Sequence, residues 1–272
     1  MSGRGLRSAR GGFGIAVAVA LFFVGAAAPL IAPGRPSAID LHAELQPPSA
    51  RHPLGTGENG LDVLTHLVYG ARVSLWVSVF VVALSGAIGV LLGGLAGYAG
   101  GIVDEALMRS VDVLLAFPGI LLAIFITAVL GPSLRNVVFA LALTGWTGYA
   151  RLVRSQVLTL RERDYVRAAR ALGAGHWRIL ARHLLPNAAG PLIVQATFGI
   201  PAAMLAEASL SFLGLGVPPG TPSWGALVDQ GTQYLLLAPH VALFPGVAIA
   251  LSVLGFNFLG DAVRDAMDPK AS

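Results

Sequence analysis

The sequence predicts an all-α integral membrane protein with six transmembrane helices. Only 12% of its 272 residues are charged, whereas a soluble domain carries roughly 25%. Hydrophobic residues make up 55% of the chain, and the mean hydropathy is +0.74. The 34 glycines agree with this class, because glycine is more frequent in membrane helices than in soluble ones. These proportions exclude an ordinary soluble enzyme.

Each predicted span is an uncharged stretch of about the 20 residues that a helix needs to cross the hydrocarbon. A seventh uncharged stretch, 208–228, is predicted to be a loop, because its prolines would leave backbone groups unpaired in lipid. The stretch between Arg135 and Arg151 is short, but both arginine stems can extend toward the interfaces. The six predicted spans are 13–32, 75–97, 113–131, 135–152, 188–209 and 240–260.

The spans predict how the chain is organised. A cytoplasmic N-terminal tail, 1–12, precedes the first transmembrane helix, 13–32, and an extracytoplasmic segment follows at 33–73. A five-helix core occupies 74–272 and contains a cytoplasmic loop at 153–187. The first span could instead be a cleaved signal peptide, since arginines precede it, but its length favours a retained helix.

Basic residues are distributed unevenly along the chain. With both termini in the cytoplasm, the cytoplasmic segments hold 14 of the 18 Lys and Arg residues. The outer segments hold only Arg35, Arg51, Arg72 and Arg135. Cytoplasmic loops carry such an excess of positive charge, so the sequence predicts that both termini are cytoplasmic.

Residues that support chemistry are scarce. The chain has no cysteine, and its only lysine is Lys270, which excludes a phosphate-binding loop of the Gly-rich Lys-Ser/Thr type. Any ATP must therefore be hydrolysed by another chain, and we predict no catalytic residue, metal site or cofactor in this one. Ionisable side chains are almost absent from the interiors of the spans, and Glu207, near the outer end of the fifth, is the one arguable case. Since secondary transporters usually need buried charges, gradient-driven transport is disfavoured.

The segment from Arg151 to Pro186 is strongly basic, with eight arginines against Glu162 and Asp164, a formal charge of +6. Its pattern predicts two short amphipathic helices, the first capped by Asp164 and ended by Gly173, the second closed by Pro186. Small residues in the first apolar stripe favour docking onto a protein over binding to anionic lipid. The predicted stripes are Tyr165, Ala168, Ala169 and Leu172, and then Trp177, Leu180, Ala181 and Leu184.

Four separated blocks form a set of motifs. They are His52-Pro53-Leu54-Gly55-Thr56 with Gly60 and Asp62-Val63; Tyr165 to Ala174 (YVRAARALGA) with Ile179-Leu180 and His183-Leu184-Leu185-Pro186-Asn187; Glu207 to Gly216 (EASLSFLGLG) with Thr221 to Gly225 (TPSWG); and Phe256-Asn257 with Leu259-Gly260-Asp261 and Arg264-Asp265. The second block resembles the Glu-Ala-Ala loop of bacterial ABC importer permeases. The whole set is similar to the second permease subunit of dipeptide and oligopeptide importers.

This resemblance implies a type I ABC importer permease fold with cytoplasmic coupling helices, in the bacterial inner membrane. It implies four kinds of partner: a homologous second permease subunit, two cytoplasmic ATP-binding subunits, an extracytoplasmic substrate-binding protein and membrane lipid, with no nucleic acid. By the same resemblance, the ATPase-coupling loop comprises Tyr165, Arg167, Ala168, Ala169, Leu172, Gly173 and Pro186. We hypothesise that Glu207 faces the translocation path; the alternative is an interfacial carboxylate with a local partner.

Some residues depart from the family pattern. Arg167 stands where the family has the acid that names the loop, so an ion pair from this position needs an acidic partner. Gly57 and Leu61 stand where relatives often have Asp and Arg, and a helix-entry turn accounts for that block equally well. The competing interpretations are a self-sufficient secondary transporter or channel and a non-transporting membrane scaffold. The cargo is left open among dipeptides, oligopeptides, nickel and other complexes.

Overall fold

The computed structural model describes residues 8–32, 34 and 36–267, and the regular elements in this part are helices, with no β-strand. Arg4, Arg7, Arg35 and Lys270, which contribute to the predicted charge asymmetry, lie outside it. The α-helices are α1 (Ala9–Ala26), α2 (Ala28–Ile31), α3 (Val63–Ala99), α4 (Gly101–Leu115), α5 (Gly119–Leu130), α6 (Leu134–Leu160), α7 (Asp164–Ala171), α8 (His176–Ile179), α9 (Ala189–Phe212), α10 (Trp224–Gln233) and α11 (His240–Met267). Short 3-10 helices cover Leu41–Ala43, Glu58–Gly60 and Pro186–Ala188, and a π-helical turn covers Leu180–Leu184.

Four helical stretches in the described part of the chain are long and apolar enough to cross a membrane. The bent pair α4–α5 adds a fifth if it is counted as one span. Every predicted span overlaps at least one helix. The span 113–131 is interrupted, however, and the span 135–152 lies in a helix that is not among these four stretches. The four stretches are Ala9–Ala26, Val63–Ala99, His176–Phe212 and His240–Met267.

The predicted span 113–131 is not one continuous helix. Helix α4 ends at Leu115, α5 begins at Gly119, and the two helices meet at a bend of 82°. Pro118 accounts for the break, because it has no N–H to donate and its ring disfavours helical backbone at Phe117. The 12 residues of α5 extend over about 18 Å, less than the hydrocarbon thickness of about 30 Å.

The predicted span 135–152 lies in α6, which is not among the four apolar stretches but packs closely along α3. A ridge of small residues spaced four apart on α3 allows this approach: a Cβ at Gly93 would collide with the carbonyl oxygen of Ala150. The contacts advance together along both helices, so α6 runs parallel to α3 at the same depth. The ridge is Ser85, Gly89, Gly93 and Gly97.

The remaining long helices run antiparallel to their neighbours. Gly14 of α1 meets Leu259 of α11, whereas Val17 meets Gly255. Gly199 of α9 meets Val82 of α3, whereas Glu207 meets Ser74. In both pairs the residue numbers rise along one helix as they fall along the other. Helices α1 and α9 therefore point one way and α3, α6 and α11 the other. A chain that crosses a membrane back and forth produces this alternation.

The segment before α3 is folded against the start of α11. Helix α3 begins at Val63, inside the predicted segment 33–73, and Asp62 is its N-cap, accepting a hydrogen bond of 2.7 Å from the N–H of Thr65. Nδ1 of His52 lies 2.8 Å from the other carboxylate oxygen of Asp62. Burial alone would raise the pKa of Asp62, but these hydrogen bonds outweigh it and hold the pKa below its usual value. The arrangement is a helix-entry turn.

Candidate functional site

Helix α6 continues to Leu160, so the predicted loop 153–187 begins later in the structure than expected. Its part after α6, residues 161–187 and called the arginine-rich loop from here on, is anchored to α6 by a small apolar core. Val166 of α7 is fully buried and packs with Val153 and Val157 of α6. Ile179, Leu180 and Leu184 complete the same cluster from α8 and the π-helical turn. The loop therefore has its own core and is held as a unit against α6.

Helix α7 ends at a left-handed glycine, as predicted. Gly173 has φ +82°, and its N–H donates to the carbonyl oxygen of Arg170. The N–H of Ala174 donates to the carbonyl oxygen of Ala169, so the two bonds form a Schellman motif. The predicted N-cap was wrong by one residue: Arg163 is the N-cap and Asp164 is the first helical residue. An acid in the first turn still interacts favourably with the helix dipole.

The surface of the arginine-rich loop that faces away from its apolar core carries exposed apolar side chains, and this surface is called its exposed face. Leu172 is 89% exposed, Trp177 is 67% exposed and Tyr165 is 43% exposed. Ala168 is also exposed and Ala169 is half-buried, so the described residues leave most of the predicted first stripe uncovered. The predicted second stripe is divided, because the π-helical turn directs Leu180 and Leu184 into the core while Trp177 and Ala181 remain exposed.

Exposed arginines occur in the same short helices as these apolar residues. Nη2 of Arg167 lies 3.2 Å from Glu162, which also contacts Arg161 at 3.3 Å. Glu162 is thus shared between two arginines, and Arg167 keeps donors free for another acceptor. Four further exposed arginines have no carboxylate within 4 Å among the described residues: Arg163, Arg170, Arg178 and Arg182.

Polar contacts connect the loop and its neighbours to α3 and α4. Nη1 of Arg161 donates to the carbonyl oxygen of Gly97 at 2.9 Å, and the hydroxyl of Tyr98 lies 2.8 Å from Nδ1 of His176. The guanidinium of Arg154 donates to both carboxylate oxygens of Asp104, a paired, charge-assisted contact. A displacement of the loop would therefore move the ends of α3 and α4.

Glu207 lies in α9 and is fully buried within the chain. Its oxygens accept hydrogen bonds from Ser74 of α3 at 2.8 Å and from Ser211 of α9 at 2.8 Å. Ser223, just before α10, donates a third at 3.0 Å. Glu207 has no exposed surface in this conformation, so its predicted exposure to the translocation path stays a prediction. The observed arrangement joins three elements of the fold.

The predicted loop 208–228 is shorter in the structure, because α9 continues to Phe212 and α10 begins at Trp224. The connection between these helices is fixed close to Glu207. Nε1 of Trp224 donates to the carbonyl oxygen of Leu67 at 2.8 Å. A Cβ at Gly225 would collide with the carbonyl oxygen of Ala208, so only glycine permits this contact. The block Thr221 to Gly225 therefore locks α10 against α3 and α9.

A cavity of about 270 Å³ opens between α3, α6 and α9, and sequence reasoning missed it. It brings together neutral polar side chains from three helices, with the Tyr149 hydroxyl donating to the carbonyl oxygen of Gln195 at 3.5 Å. Hydroxyls and an amide inside otherwise apolar spans were the available signal, but their convergence depends on helix packing. The polar lining residues are Ser85, Thr144, Tyr149 and Gln195.

The chain matches a known family over most of its length. A family model described as binding-protein-dependent transport system inner membrane component matches residues 89–272. The dipeptide transport system permease protein DppC of Alkalihalophilus pseudofirmus is 44% identical over 257 residues, which cover 94% of this chain and 84% of that protein. The glutathione transport system permease protein GsiD of Pectobacterium atrosepticum is 46% identical over 223 residues, 82% of this chain and 74% of that protein.

A solved structure shares the fold. The inward-facing methionine ABC transporter MetNI contains a chain that superposes with a TM-score of 0.53 at 23% sequence identity. The match covers 75% of this chain and 96% of that one. The predicted type I importer permease fold is confirmed by this likeness together with the family match.

Proposed function

Since this chain belongs to the family of binding-protein-dependent transport system inner membrane components and is a permease subunit of an ABC importer, we propose that it forms half of a translocation path for short peptides. A homologous permease subunit supplies the other half. Two cytoplasmic ATP-binding subunits drive the cycle, and an extracytoplasmic binding protein delivers the peptide. Relatives named for dipeptide and glutathione transport support this cargo class.

The exposed face of the arginine-rich loop is the observation that carries the proposal. Leu172 and Trp177 are large apolar residues left uncovered on a segment that is otherwise firmly packed. Burying one such side chain against a partner contributes about 1.5–3 kcal/mol. We assign this face to an ATP-binding subunit, whose movement is then passed to α6 through Val166 and to α3 through Arg161.

The cavity between α3, α6 and α9 suits peptide cargo. A peptide carries amide groups that cost free energy when they enter an apolar environment without hydrogen-bond partners. The hydroxyls of Thr144 and Tyr149 and the amide of Gln195 are neutral partners for such groups. A lining without acidic or basic side chains also does not select among cargo side chains by charge.

Reconstitution tests the proposal. The transporter is purified from bacterial membranes through a tag on this chain, the co-purifying subunits are identified, and the complex is placed in vesicles with its binding protein. We expect ATP-binding subunits in the preparation and uptake of a labelled dipeptide that requires ATP. Uptake by this chain alone without nucleotide would instead identify a secondary transporter. Uptake of nickel but not of peptide would overturn the cargo assignment.

The proposed orientation has its own test, because the native chain has no cysteine. Leu172→Cys places a single thiol on the arginine-rich loop, and Ile39→Cys places one on the exposed segment before α3. We propose that the loop and both termini are cytoplasmic. A membrane-impermeant maleimide should then label Ile39→Cys but not Leu172→Cys in intact spheroplasts, and the reverse labelling pattern would contradict this orientation.

A further inference from the structure

A second, larger cavity lies on the surface between α3 and α6. It is a groove of about 600 Å³ with almost wholly apolar walls. Its wall residues Trp76, Phe80 and Phe139 are each more than half exposed. Arg72 and Arg135 are the exceptions in this lining. Arg72 is the first groove residue of α3, and Arg135 follows Leu134 at the start of α6. Because α3 and α6 run parallel, both arginines lie at the same end of the groove.

Neither arginine is neutralised by the part of the chain that the structure describes. Arg72 and Arg135 are exposed, and no carboxylate lies within 4 Å of either among the described residues. Other arginines of the bundle differ, since Arg151 and Arg154 pair with acids of α4. The groove therefore combines a long apolar surface with two cations at one end, which is the complement of an anionic amphiphile.

We propose that the groove binds one anionic phospholipid, with an acyl chain along the apolar walls and the phosphate held by Arg72 and Arg135. Guanidinium groups bind phosphate through paired, charge-assisted hydrogen bonds. Trp76 lies one helical turn from Arg72, and tryptophan is enriched at the level of lipid headgroups. Acyl chains have no polar groups and leave nothing unpaired against these walls.

The other two occupants fit the groove less well. A peptide would leave its amide groups without partners along apolar walls, whereas the cavity between α3, α6 and α9 offers hydroxyls and an amide. An apolar helix of a partner permease would cover the two guanidiniums without neutralising them, and an unpaired charge in that environment is costly. The proposal holds whatever cargo the transporter carries.

Native mass spectrometry of the purified chain tests the proposal. Phosphatidylglycerol and phosphatidylcholine with identical acyl chains are added in turn, and we expect one tightly held phosphatidylglycerol per chain. Arg72→Gln or Arg135→Gln should each weaken phosphatidylglycerol binding about tenfold, the effect of losing a hydrogen bond between charged groups. Binding of phosphatidylcholine should not change. Arg72→Lys and Arg135→Lys keep the positive charge and should keep the preference for phosphatidylglycerol over phosphatidylcholine.

Two control variants distinguish binding in the groove from a general electrostatic attraction of anionic lipid to exposed arginines. Arg51→Gln removes an exposed arginine that does not line the groove and should leave lipid binding unchanged. Leu84→Trp fills the apolar half and should weaken lipid binding with both arginines intact. The proposal is overturned if the double Gln variant keeps its preference for phosphatidylglycerol. It is overturned equally if inorganic phosphate displaces the lipid.

A further experiment compares the lone chain with the assembled transporter. A spin label on Phe80→Cys lies on the groove wall, and its collision rate with oxygen reports contact with lipid. We expect the same rate in the lone chain and in the assembled complex. A rate that falls to that of a buried site on assembly would show a partner subunit seated in the groove, and would overturn the lipid assignment.

Discussion

The hydroxyl of Ser74 donates a hydrogen bond of 2.8 Å to Oε2 of Glu207, although 133 positions separate the two residues. Ser211 and Ser223 bind the other carboxylate oxygen, so the acid is satisfied entirely by hydroxyl groups. This contact holds α9 to α3 and to the start of α10. A buried acid that was considered for cargo binding thus has a structural role in this conformation.

Glu207→Ala is expected to destabilise the chain. It leaves the hydroxyls of Ser74, Ser211 and Ser223 without their acceptor, and each buried unsatisfied group costs about 1–3 kcal/mol. Thermal unfolding in detergent should show a lowered midpoint. Glu105→Ala, which removes an exposed carboxylate, should not change that midpoint.

Glu207→Gln distinguishes a structural role of the Glu207 side chain from a role of its charge in transport. The amide retains an acceptor oxygen, so most of the stability should return. A wild-type rate of peptide uptake in this variant would exclude a charged contact between Glu207 and the cargo.

Gly93→Ala should weaken the packing of α6 against α3. The added Cβ would collide with the carbonyl oxygen of Ala150, and overpacking of this kind costs about 1–3 kcal/mol. The matched control is Gly86→Ala on the same helix, where the nearest atom would be 3.9 Å away. Denaturation midpoints in detergent distinguish the two variants; equal midpoints would argue against the glycine ridge.

Leu172→Ser should weaken binding of the ATP-binding subunits without unfolding the chain. The side chain is 89% exposed in the isolated chain, so its removal costs the fold little, whereas burial at an interface contributes about 1.5–3 kcal/mol. We expect at least about a tenfold loss of affinity in a pull-down titration. Leu236→Ser, another fully exposed leucine, serves as the control and should bind normally.

Gly173→Trp should uncouple ATP hydrolysis from uptake. A side chain at this position meets open space in the isolated chain, so its bulk would act on the docked partner. The left-handed backbone adds strain, which Gly173→Asn tests alone, because asparagine tolerates this conformation. We expect persistent hydrolysis with little uptake in the Trp variant and near-normal coupling in the Asn variant. Normal uptake in both variants would count against the docking assignment.

Asp62 makes stability depend on pH at the start of α3. Its pKa in the folded protein lies below the ordinary value of 3.8, so its contribution is complete above that value and is lost as the pH falls through the folded pKa. Asp62→Ala should cost about 0.5–2 kcal/mol at neutral pH and abolish this acid dependence. Asp62→Asn keeps a cap and should recover most of the stability, again without the acid dependence. Unfolding midpoints measured across acidic pH provide the check.

Some features could be read from local sequence because their causes are local. The end of α7 at Gly173 is one, since a left-handed residue closes a helix through its own neighbours. The break at Pro118 also has a local cause, but the predicted span 113–131 rests on the distance between charged residues, which carries no information on backbone donors. The exposure of Tyr165 and Leu172 followed from their pattern, whereas the burial of Leu180 required the π-helical turn.

Sequence alone determined the membrane class and the position of the arginine-rich loop, because hydropathy, composition and charge sum over neighbouring residues. Tertiary structure alone decided the partners of Glu207, the parallel packing of α6 on α3 and the convergence of Arg72 with Arg135. Each of these joins residues far apart in the chain. Their contacts depend on which helix faces meet, and that is settled by close packing between whole helices, not by the local pattern of either one.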